Sequence, residues 1–580
     1  MRPGSYDEWV RLYDTVTPSQ RDELQREQEQ LQHQPLFSIL LPVYNAQLGW
    51  LAEAIDSVGA QTYPRWELCI ADDASTEPGV RSFLKTKAKA DARIRLVLRP
   101  ANGHIAACSN SALALATGEW CGLLDQDDVL AEHALSLVAR EVNAHPAAGL
   151  IYSDEDFLHT NGARSNPFLK PDWNPELFLG QNYINHFGLY RTDLLRLIDG
   201  FREGFEGSQD YDLALRCIEQ LRPAQIRHIP RVVYHWRMVP GSLAEVRDAK
   251  PYAKDAARRA LTEHLQRRGV AARVEPCPEN VESHRVTYEL PTPQPLVSVI
   301  IHSSGSAAAT IECSRHVREK TSSTAFEIID TESAEAAAMN RAAASANGDV
   351  LVFLDASVEI TEPDWIQELV AQAWRDEVAA AGARVWNSDG TLRHGGYLLG
   401  VGGIASSAHE DLPRGHPGYF NRTFLQRNCS AVSAECIAIR ASVFRDLGGF
   451  DVVNLSERFH DIDFCLRAAE RGLQIVWTPY VNPIFDGPAI ANPAAPADEE
   501  YMRRRWAAML PNDQFYSPSM TLDLPAFELA FPPRWLSVER ALPLPASAPP
   551  PQDQEKVLPA ETPRSFVGRL RRLWRAARTD

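Results

Sequence analysis

Residues 35–45 read PLFSILLPVYN, and residues 295–305 read PLVSVIIHSSG. In each stretch a short, mainly apolar run follows a proline and ends at polar residues, which is typical of a buried strand. The stretches TGEWCGLLDQDD at 117–128 and NGDVLVFLDASV at 347–358 form a second matching pair. Because the two motifs come in the same order in both halves, the chain is predicted to contain two copies of one domain.

The spacing of these motifs shows where the copies differ. The first pair lies 260 residues apart and the second pair 230, so the second copy lacks 30 residues between the motifs. A third pair, at 200–216 and 449–467, shares the pattern D-x-D-x-x-L-R. Short apolar runs alternate with helical stretches, which indicates an α/β fold with a mainly parallel sheet. We therefore predict two tandem α/β domains, at 35–245 and 295–490.

The remaining segments differ from the domains in composition. Residues 1–34 predict a solvated, helical N-terminal extension, residues 246–294 a helical and loop linker, and residues 491–562 an irregular, Pro-rich linker. In 563–580 the apolar side chains share one helical face and four arginines occupy the other. Such a basic amphipathic helix fits peripheral contact with an anionic membrane, and a solvated tail or a docking helix for another protein are the alternatives.

Composition limits the class of protein. The 580 residues carry a formal net charge of -17, which argues against a nucleic-acid partner and in favour of a small ligand. The nine cysteines include no CxxC pair, as expected of reduced, buried thiols in the cytoplasm. No apolar run approaches the roughly 20 residues that span a bilayer, and the start of the chain lacks a signal-peptide core. We expect a cytoplasmic protein.

Carboxylates cluster where two predicted strands end. The sequence DQDD at 125–128 follows the strand WCGLL, and Asp72 and Asp73 follow the strand WELCIA. Like charges this close need a cation or basic partners, and carboxylates suit Mg²⁺ or Mn²⁺. Asp72 or Asp73 can also accept hydrogen bonds from a nucleoside. The alternatives are an acidic turn with Asp128 capping a helix, and an Asx turn at the second motif.

Other polar and aromatic residues follow the strands. Tyr44, in the sequence PVYN, can pack against a nucleobase or belong to a surface turn. Asn102 opens a helix whose backbone N–H groups can face phosphate, and it can equally be a plain helix cap. Asn110 matches Asn340 of the second copy, so it either faces a ligand or serves the packing of the fold.

Five motifs, taken in order, carry a specific resemblance: SILLPVYN, IADDAST, LLDQDD, EGSQDYDLALR and HIPRVVYHWR. Together they resemble the inverting family 2 glycosyltransferases of the GT-A fold, especially bacterial enzymes of O-antigen, capsule and rhamnan assembly. The resemblance covers nearly all of residues 35–240. It implies two tandem GT-A domains, each with a Rossmann-like, mixed but mostly parallel sheet. It also implies a dTDP- or UDP-sugar donor and a glycan or lipid-linked glycan acceptor.

The resemblance further implies roles for single residues. Asp210 would be the catalytic base, Asp127 the main metal ligand, and His235 a group that completes metal or diphosphate binding. Glu206 and Trp236 are candidates for the acceptor pocket, with surface and core roles as their alternatives. The residues expected at the donor nucleotide are Pro42, Tyr44, Asn45, Asp72, Asp73, Asn102, Asn110 and Asp125.

Transfer chemistry explains this division of roles. Charge builds on the departing nucleoside diphosphate, and a divalent ion neutralises it without proton transfer. The attacking sugar hydroxyl is a weak nucleophile, so a carboxylate must accept its proton as the new bond forms. One displacement inverts the anomeric configuration. Without the resemblance, Asp210 is equally a carboxylate favoured at a helix N-terminus and His235 a core histidine.

The second copy has lost most of this set. The 30 missing residues remove the counterpart of DDAST, and Ser357, a poorer metal ligand, stands where the first copy has Asp127. The segment WTPYVNPIFDGP contains no histidine, although Asp461 matches Asp210. We expect a degenerate second domain that is a partner for the first, an acceptor-binding surface or a homo-oligomer contact.

Two other functions are alternatives to a single-site glycosyltransferase. A sugar-phosphate nucleotidyltransferase also binds metal through aspartates on an α/β sheet. It should have a Gly-rich, Lys-containing loop after the first strand, where this chain has PVYNAQLG. A catalytically silent glycan-binding scaffold fits the second copy but not the intact motifs of the first.

Overall fold

The computed structural model describes residues 4–238, 251–303, 306–322, 325–331, 333–455, 458–487 and 495–536. The described residues up to Trp535 belong to one compact unit. The predictions for the Pro-rich stretch beyond residue 536 and for the helix at 563–580 lie outside the described residues. None of the helices in the described ranges combines the length and apolar character needed to cross a bilayer.

The N-terminal segment is helical, with buried residues near its start and a largely exposed second helix. It contains α1 (Tyr6–Trp9), a π-helical turn and α2 (Pro18–Gln30), which Thr17 opens with a capping box. Trp9 is fully buried, and its indole N–H donates to the carbonyl of Ala530 at 3.1 Å. The solvated helix that the sequence predicts is therefore present as α2, in which only Gln28 is buried, whereas the start of the segment packs against the protein.

The first domain is built on a nine-stranded sheet. Its strands are β1 (Phe37–Val43), β2 (Trp66–Asp72), β3 (Ile94–Leu98), β4 (Trp120–Leu123), β5 (Val129–Leu130), β6 (Leu150–Leu158), β7 (Arg164–Phe168), β8 (Gly188–Arg191) and β9 (Ile226–Arg237). The order is β3-β2-β1-β4-β8-β6-β9-β5, with β7 beside β6. Strands β3, β2, β1 and β4 are parallel, and β8 runs antiparallel to β4 and β6.

Helices cover both faces of this sheet. They are α3 (Leu48–Gly59), α4 (Val80–Ala90), α5 (His104–Leu113), α6 (Ala134–Ala144), α7 (Pro175–Gly180), α8 (Thr192–Leu197) and α9 (Gln209–Ile218). Helices α3, α4 and α6 pack on one face, and α5, α7, α8 and α9 on the other. Coverage on both sides explains why β1 and β2 are almost continuously apolar. Because β1, β2 and β4 are parallel, their carboxyl ends meet at one edge of the sheet.

The segment between the domains contains a helix and a hairpin. Helix α10 (Pro251–Arg267) packs beside α9, where His264 lies 2.8 Å from a carboxylate oxygen of Glu219. Strands β10 (Ala272–Cys277) and β11 (Asn280–Tyr288) pair antiparallel. The sequence analysis predicted the helix and loop but missed the hairpin.

The second domain repeats the first. Its strands are β12 (Val297–His302), β13 (Phe326–Asp330), β14 (Val350–Asp355), β15 (Val358–Glu359), β16 (Val378–Ala383), β17 (Val385–Asn387), β18 (Leu392–His394), β19 (Tyr397–Leu399), β20 (Ala405–Ser407), β21 (Arg427–Asn428), β22 (Cys436–Arg440), β23 (Gln474–Thr478) and β24 (Ile484–Phe485). Its helices are α11 (Ala307–Lys320), α12 (Ala336–Ser345), α13 (Trp365–Ala373), α14 (Ala441–Asp446) and α15 (His460–Glu470). The main sheet has the order β13-β12-β14-β22-β16-β23-β21. The predicted α/β class is confirmed in both domains.

The difference between the copies lies at one edge of the sheet. Strand β12 lies parallel between β13 and β14, as β1 lies between β2 and β4. Beyond β2 the first sheet continues to β3, whereas β13 ends the second sheet in the part of the chain that the structure describes. The missing 30 residues correspond to α4 and β3, so the prediction that they remove the counterpart of DDAST was wrong: residues 333–335 follow β13 as 73–75 follow β2. At the shared register, Ser333 takes the place of Asp73.

Residues 495–536 pack into the body of the protein. Helix α16 (Pro496–Arg505) is followed by turns in which Trp506, Tyr516 and Met520 are buried. The carboxylate of Asp513 accepts a hydrogen bond of 2.7 Å from the hydroxyl of Ser430. This part of the predicted 491–562 linker is therefore not a linker. All nine cysteines are buried and unpaired, as predicted.

Candidate functional site

A cleft of about 760 Å³ opens at the carboxyl ends of β1 and β4. Nine of the residues predicted from sequence line it: Pro42, Tyr44, Asp73, Asn102, Asp125, Asp127, Glu206, Asp210 and Trp236. The structure therefore brings the strand-end carboxylates and the start of α9 to one cavity. Asn45, Asp72, Asn110 and His235 are not among its lining residues.

The acidic turn between β4 and β5 is anchored by its last residue. The carboxylate of Asp128 is buried and accepts hydrogen bonds from the hydroxyl of Tyr234 at 2.5 Å and the backbone N–H of Arg237 at 2.8 Å. Burial, followed by the negative charge of Asp125, raises the pKa of Asp128 to about 8. Asp128 thus holds the turn against β9, and Asp125 and Asp127 line the cleft.

The end of β1 is tied to the same turn. The side-chain oxygen of Gln126 accepts from the backbone N–H of Tyr44 at 2.9 Å, and its amide nitrogen donates to the Tyr44 carbonyl at 3.3 Å. The Tyr44 side chain is exposed. Tyr44 can therefore offer a ring face to a ligand in the cleft while its backbone stays fixed.

The two aspartates after β2 have different surroundings. Asp72 is fully buried and forms an ion pair of 3.0 Å with Arg81. Asp73 lines the cleft, forms an ion pair of 2.7 Å with Arg99, and accepts from the N–H of Gly103 at 3.0 Å. Because Asn102 precedes Gly103 and lines the cleft as well, Asp73 fixes the start of α5 beside the cavity. Asp72 serves the fold instead.

Asn45 and Asn110 bond backbone groups within the fold. The Asn45 side-chain oxygen accepts from the backbone N–H groups of Thr76 and Glu77 at 2.7 and 3.0 Å. The Asn110 amide bonds both backbone groups of Phe201, at 2.7 and 2.8 Å.

The counterpart of Asn110 makes the same contacts. Asn340 bonds both backbone groups of Phe450, at 2.9 and 3.0 Å. The repetition favours a packing role for Asn110 over contact with the donor.

His235 lies on the other side of β9 from the cleft. Its Nδ1 is 2.7 Å from Oδ1 of Asp156, whose other oxygen accepts from the hydroxyl of Tyr6 at 2.7 Å and pairs with Arg164 at 2.5 Å. Successive side chains of a strand point to opposite faces, and Trp236 lines the cleft. The structure therefore does not bring His235 to the predicted metal site. It belongs to the network that binds the N-terminal segment.

His186, which the sequence analysis missed, lines the cleft instead. Its Nε2 lies 3.8 Å from Oδ2 of Asp125, and its Nδ1 lies 3.3 Å from Oε2 of Glu155. The imidazole stacks on Tyr234 with ring centroids 4.8 Å apart. Burial lowers the pKa of His186, but the hydrogen bond and charge of Glu155 outweigh it and raise the pKa to about 9. Ligand atoms of Asp125, Asp128 and His186 lie within 4.8 Å of one another.

Asp210 lies in the first turn of α9. Its Oδ2 accepts a hydrogen bond of 3.2 Å from the side-chain amide of Asn182, and burial raises the pKa of its carboxyl group. A raised pKa makes a carboxylate a better proton acceptor. Asp212, two residues on, is buried in an ion pair of 2.9 Å with Arg216, so only Asp210 faces the cleft.

The second domain arranges the matching residues differently. Asp355 accepts a hydrogen bond of 2.8 Å from the backbone N–H of Ser357. Both carboxylate oxygens of Asp461 accept backbone hydrogen bonds, from Ala434 at 3.0 Å and Ile462 at 2.9 Å. Each carboxylate oxygen of Asp461, the match to Asp210, thus has a backbone partner within the second domain.

Comparison with known proteins gives a family match to both domains. The family model described as glycosyl transferase family 2 matches residues 38–198 and 274–448. Protein y4gI of Sinorhizobium fredii is 39% identical over 87% of this chain and 60% of its own length. The O-antigen biosynthesis protein RfbC of Myxococcus xanthus is 33% identical over 85% of this chain and 41% of its own. The chain thus spans about half the length of these relatives.

Among solved structures, S. aureus TarS in complex with UDP-GlcNAc is similar over 40% of this chain and 66% of that chain. The sequence identity is 20% and the TM-score 0.33.

Proposed function

The chain belongs to glycosyl transferase family 2, as its motifs predict, and we propose that its first domain transfers a sugar from a nucleotide diphosphate sugar to a glycan. We place this activity in the synthesis of a bacterial surface polysaccharide, with a dTDP- or UDP-sugar as donor and a glycan or lipid-linked glycan as acceptor. The likeness to a protein named for O-antigen biosynthesis supports this setting.

One observation carries the proposal. A single cleft is lined both by the carboxylates Asp125 and Asp127, at a strand end, and by Asp210, at the start of a helix. Transfer from a diphosphate donor needs positive charge near the leaving group and a base near the acceptor hydroxyl. The two parts come from different elements, so each can face a different side of a bound sugar.

The residues at the strand end fit a divalent cation. Asp125 and Asp127 offer carboxylate oxygen ligands from one turn, at the cleft, which is the ligand type that Mg²⁺ and Mn²⁺ prefer. Asp127, with Asp125 beside it, would hold Mg²⁺ or Mn²⁺. When bound, such an ion stabilises the negative charge of a departing diphosphate.

The remaining lining residues divide between the two substrates. Tyr44, Asp73 and Asn102, at the ends of β1 and β2 and the start of α5, surround the donor nucleotide. Glu206 and Trp236 lie on the acceptor side with Asp210. Asp210 accepts the proton of the attacking hydroxyl while the bond to the anomeric carbon forms, so the product has the inverted configuration.

The second domain supports the first without a transfer site of its own. Ser357 and Ser333 stand where the first domain has Asp127 and Asp73, and the Asp461 carboxylate is occupied by backbone N–H groups. We therefore infer an enzyme with one transfer site, in the first domain, and a degenerate second domain packed against it.

Thermal unfolding in the presence of nucleotides measures nucleotide binding and tests the proposal. UDP, dTDP, GDP and ADP are each added to the full chain with and without Mn²⁺, because a ligand that binds the folded state raises the unfolding temperature. We expect a metal-dependent increase for UDP or dTDP, lost in Asp127→Ala and retained in the matched variant Ser357→Ala. A protein without any metal-dependent response to a nucleotide would be a silent scaffold.

A further inference from the structure

We propose that His186, rather than the histidine of the YHWR motif, is the nitrogen ligand of the divalent cation in this cleft. The inference rests on the proposed function, since it concerns the same cation. It is carried by the place of the imidazole in the cleft and by the buried groups that hold it there.

The Nε2 atom of His186 and the Oδ2 atom of Asp125 are 3.8 Å apart. Two ligands that are each about 2.1 Å from one ion lie at most about 4.2 Å apart. One cation can therefore contact both atoms as they stand. Asp128 offers no better alternative, because its two oxygens already accept from Tyr234 and from the backbone of Arg237.

The other ring nitrogen of His186 has the partner that metal-binding histidines use. A ligating imidazole almost always donates its second N–H to a carboxylate, carbonyl or water, which fixes the ring and raises its basicity. Nδ1 of His186 faces Oε2 of Glu155 at 3.3 Å, and Glu155 also accepts from the backbone N–H of His186. The Glu155 side chain thus orients Nε2 towards Asp125.

A fully buried lysine holds this arrangement. Lys170 Nζ donates to Glu155 at 3.2 Å and to the carbonyls of Asn185 and His186 at 2.7 and 2.9 Å. All three of its N–H donors are therefore used to fix the carboxylate and the backbone that carry the imidazole. Tyr234 supports the ring from one face. Such a rigid support is what a metal ligand requires.

His235 has a different set of contacts. Its imidazole lies against Asp156 in the network with Tyr6 and Arg164, on the strand face opposite Trp236. If His186 is the ligand, replacing it should remove the nitrogen signal of bound Mn²⁺ and replacing His235 should not. If His235 is the ligand, the reverse is expected. Each variant is therefore the matched control for the other.

The test uses the full chain with Mn²⁺ alone. Electron paramagnetic resonance measures free and bound Mn²⁺, and electron spin echo envelope modulation detects a nitrogen nucleus bonded directly to the ion. We expect ¹⁴N modulation in the wild type and in His235→Gln, and none in His186→Gln. Affinity for Mn²⁺ should fall at least about tenfold in His186→Gln.

A second variant keeps the test decisive if His186→Gln fails to fold. Glu155→Gln retains His186, so it should keep the ¹⁴N modulation while Mn²⁺ affinity falls about tenfold. Modulation that persists in His186→Gln, or its absence in a wild-type protein that binds Mn²⁺, would overturn the assignment and leave the proposed function standing. A wild-type protein that binds no Mn²⁺ at all would overturn both.

Discussion

Asn174 of the first domain and Asn428 of the second bond each other across the junction of the two sheets. The side-chain amide of Asn174 donates to the backbone carbonyl of Asn428 at 2.9 Å, and its oxygen accepts from the Asn428 N–H at 2.9 Å. Both residues are buried, and the same Asn174 oxygen caps α7 through the N–H of Leu177 at 3.1 Å. One side chain thus joins the end of one domain to a strand of the other.

We expect Asn174→Ala to lower the free energy of unfolding by about 3 kcal/mol, because buried backbone groups lose their partners. Urea unfolding measures the change. Asn512→Ala is the control, since the Asn512 side chain is exposed and bonds only one carbonyl of a neighbouring turn, that of Ala508, and should cost less. Equal losses in the two variants would show that the backbone bonds are not the important contacts.

We expect Asp210→Asn to reduce transfer by a factor of at least about 100, because an amide cannot accept the proton of the acceptor hydroxyl. Donor affinity, measured by calorimetry, should stay within about twofold, since the base acts on the acceptor side. Asp461→Asn, the matched change in the second domain, should retain transfer. A loss of donor affinity in Asp210→Asn would show that Asp210 binds the donor.

A buried histidine gives the stability a defined pH dependence. His228 lies 2.8 Å from Asp154 and 3.1 Å from Asp172. Burial lowers its pKa, but these carboxylates outweigh burial and raise it to about 9. A pKa raised in the folded state contributes stability that is complete below pH of about 6.5 and is lost as the pH rises through about 9.

The free energy of unfolding should therefore decrease between pH 6.5 and 9.5 by on the order of 2 kcal/mol more in the wild type than in His228→Gln. Urea unfolding of both proteins at the two pH values isolates the contribution of His228 from that of other groups. Parallel pH profiles would show that His228 is neutral in the folded protein.

Asn110→Ala and Asn340→Ala should destabilise the protein by similar amounts, about 2 kcal/mol each, because each asparagine bonds both backbone groups of one phenylalanine. Thermal unfolding compares the two. The affinity of Asn110→Ala for the donor nucleotide should be unchanged. A selective loss of nucleotide affinity in Asn110→Ala would restore its predicted place in the donor site.

Sequence comparison within the chain was sufficient to predict the architecture. The two copies share even single contacts: Ser38 donates to Glu67 at 2.7 Å, and Ser298 donates to Glu327 at 2.6 Å. Such contacts repeat because they connect neighbouring strands of the same sheet. Most of the cleft was predictable for the same reason, since its residues follow strands whose carboxyl ends share one edge.

The errors come from contacts between segments far apart in sequence. His186 belongs to no motif, and Glu155, Lys170 and Asp125, which surround it, come from separate elements. The sequence analysis placed His235 near the metal because it belongs to the YHWR motif. Neighbouring side chains of a strand point to opposite faces, so His235 and Trp236 cannot both face the cleft. Packing of the N-terminal segment against Ala530 joins residues more than 500 positions apart, and no local pattern records such a contact.

Restoring one carboxylate should not make the second domain active. Ser357→Asp returns the residue that matches Asp127, but Ser333 still replaces Asp73, and Asp461 remains bonded to backbone N–H groups. Counterparts of α4 and β3 are also absent between β13 and α12 in the described residues. In the background Asp127→Ala, where the first site is silenced, the added Ser357→Asp change should leave sugar transfer and donor hydrolysis at the level of Asp127→Ala alone. Radiolabelled donor provides the sensitivity for that comparison. Activity gained in the double variant would mean that a nucleotide can bind without the deleted segment, and the second domain would then be a dormant site rather than a structural partner.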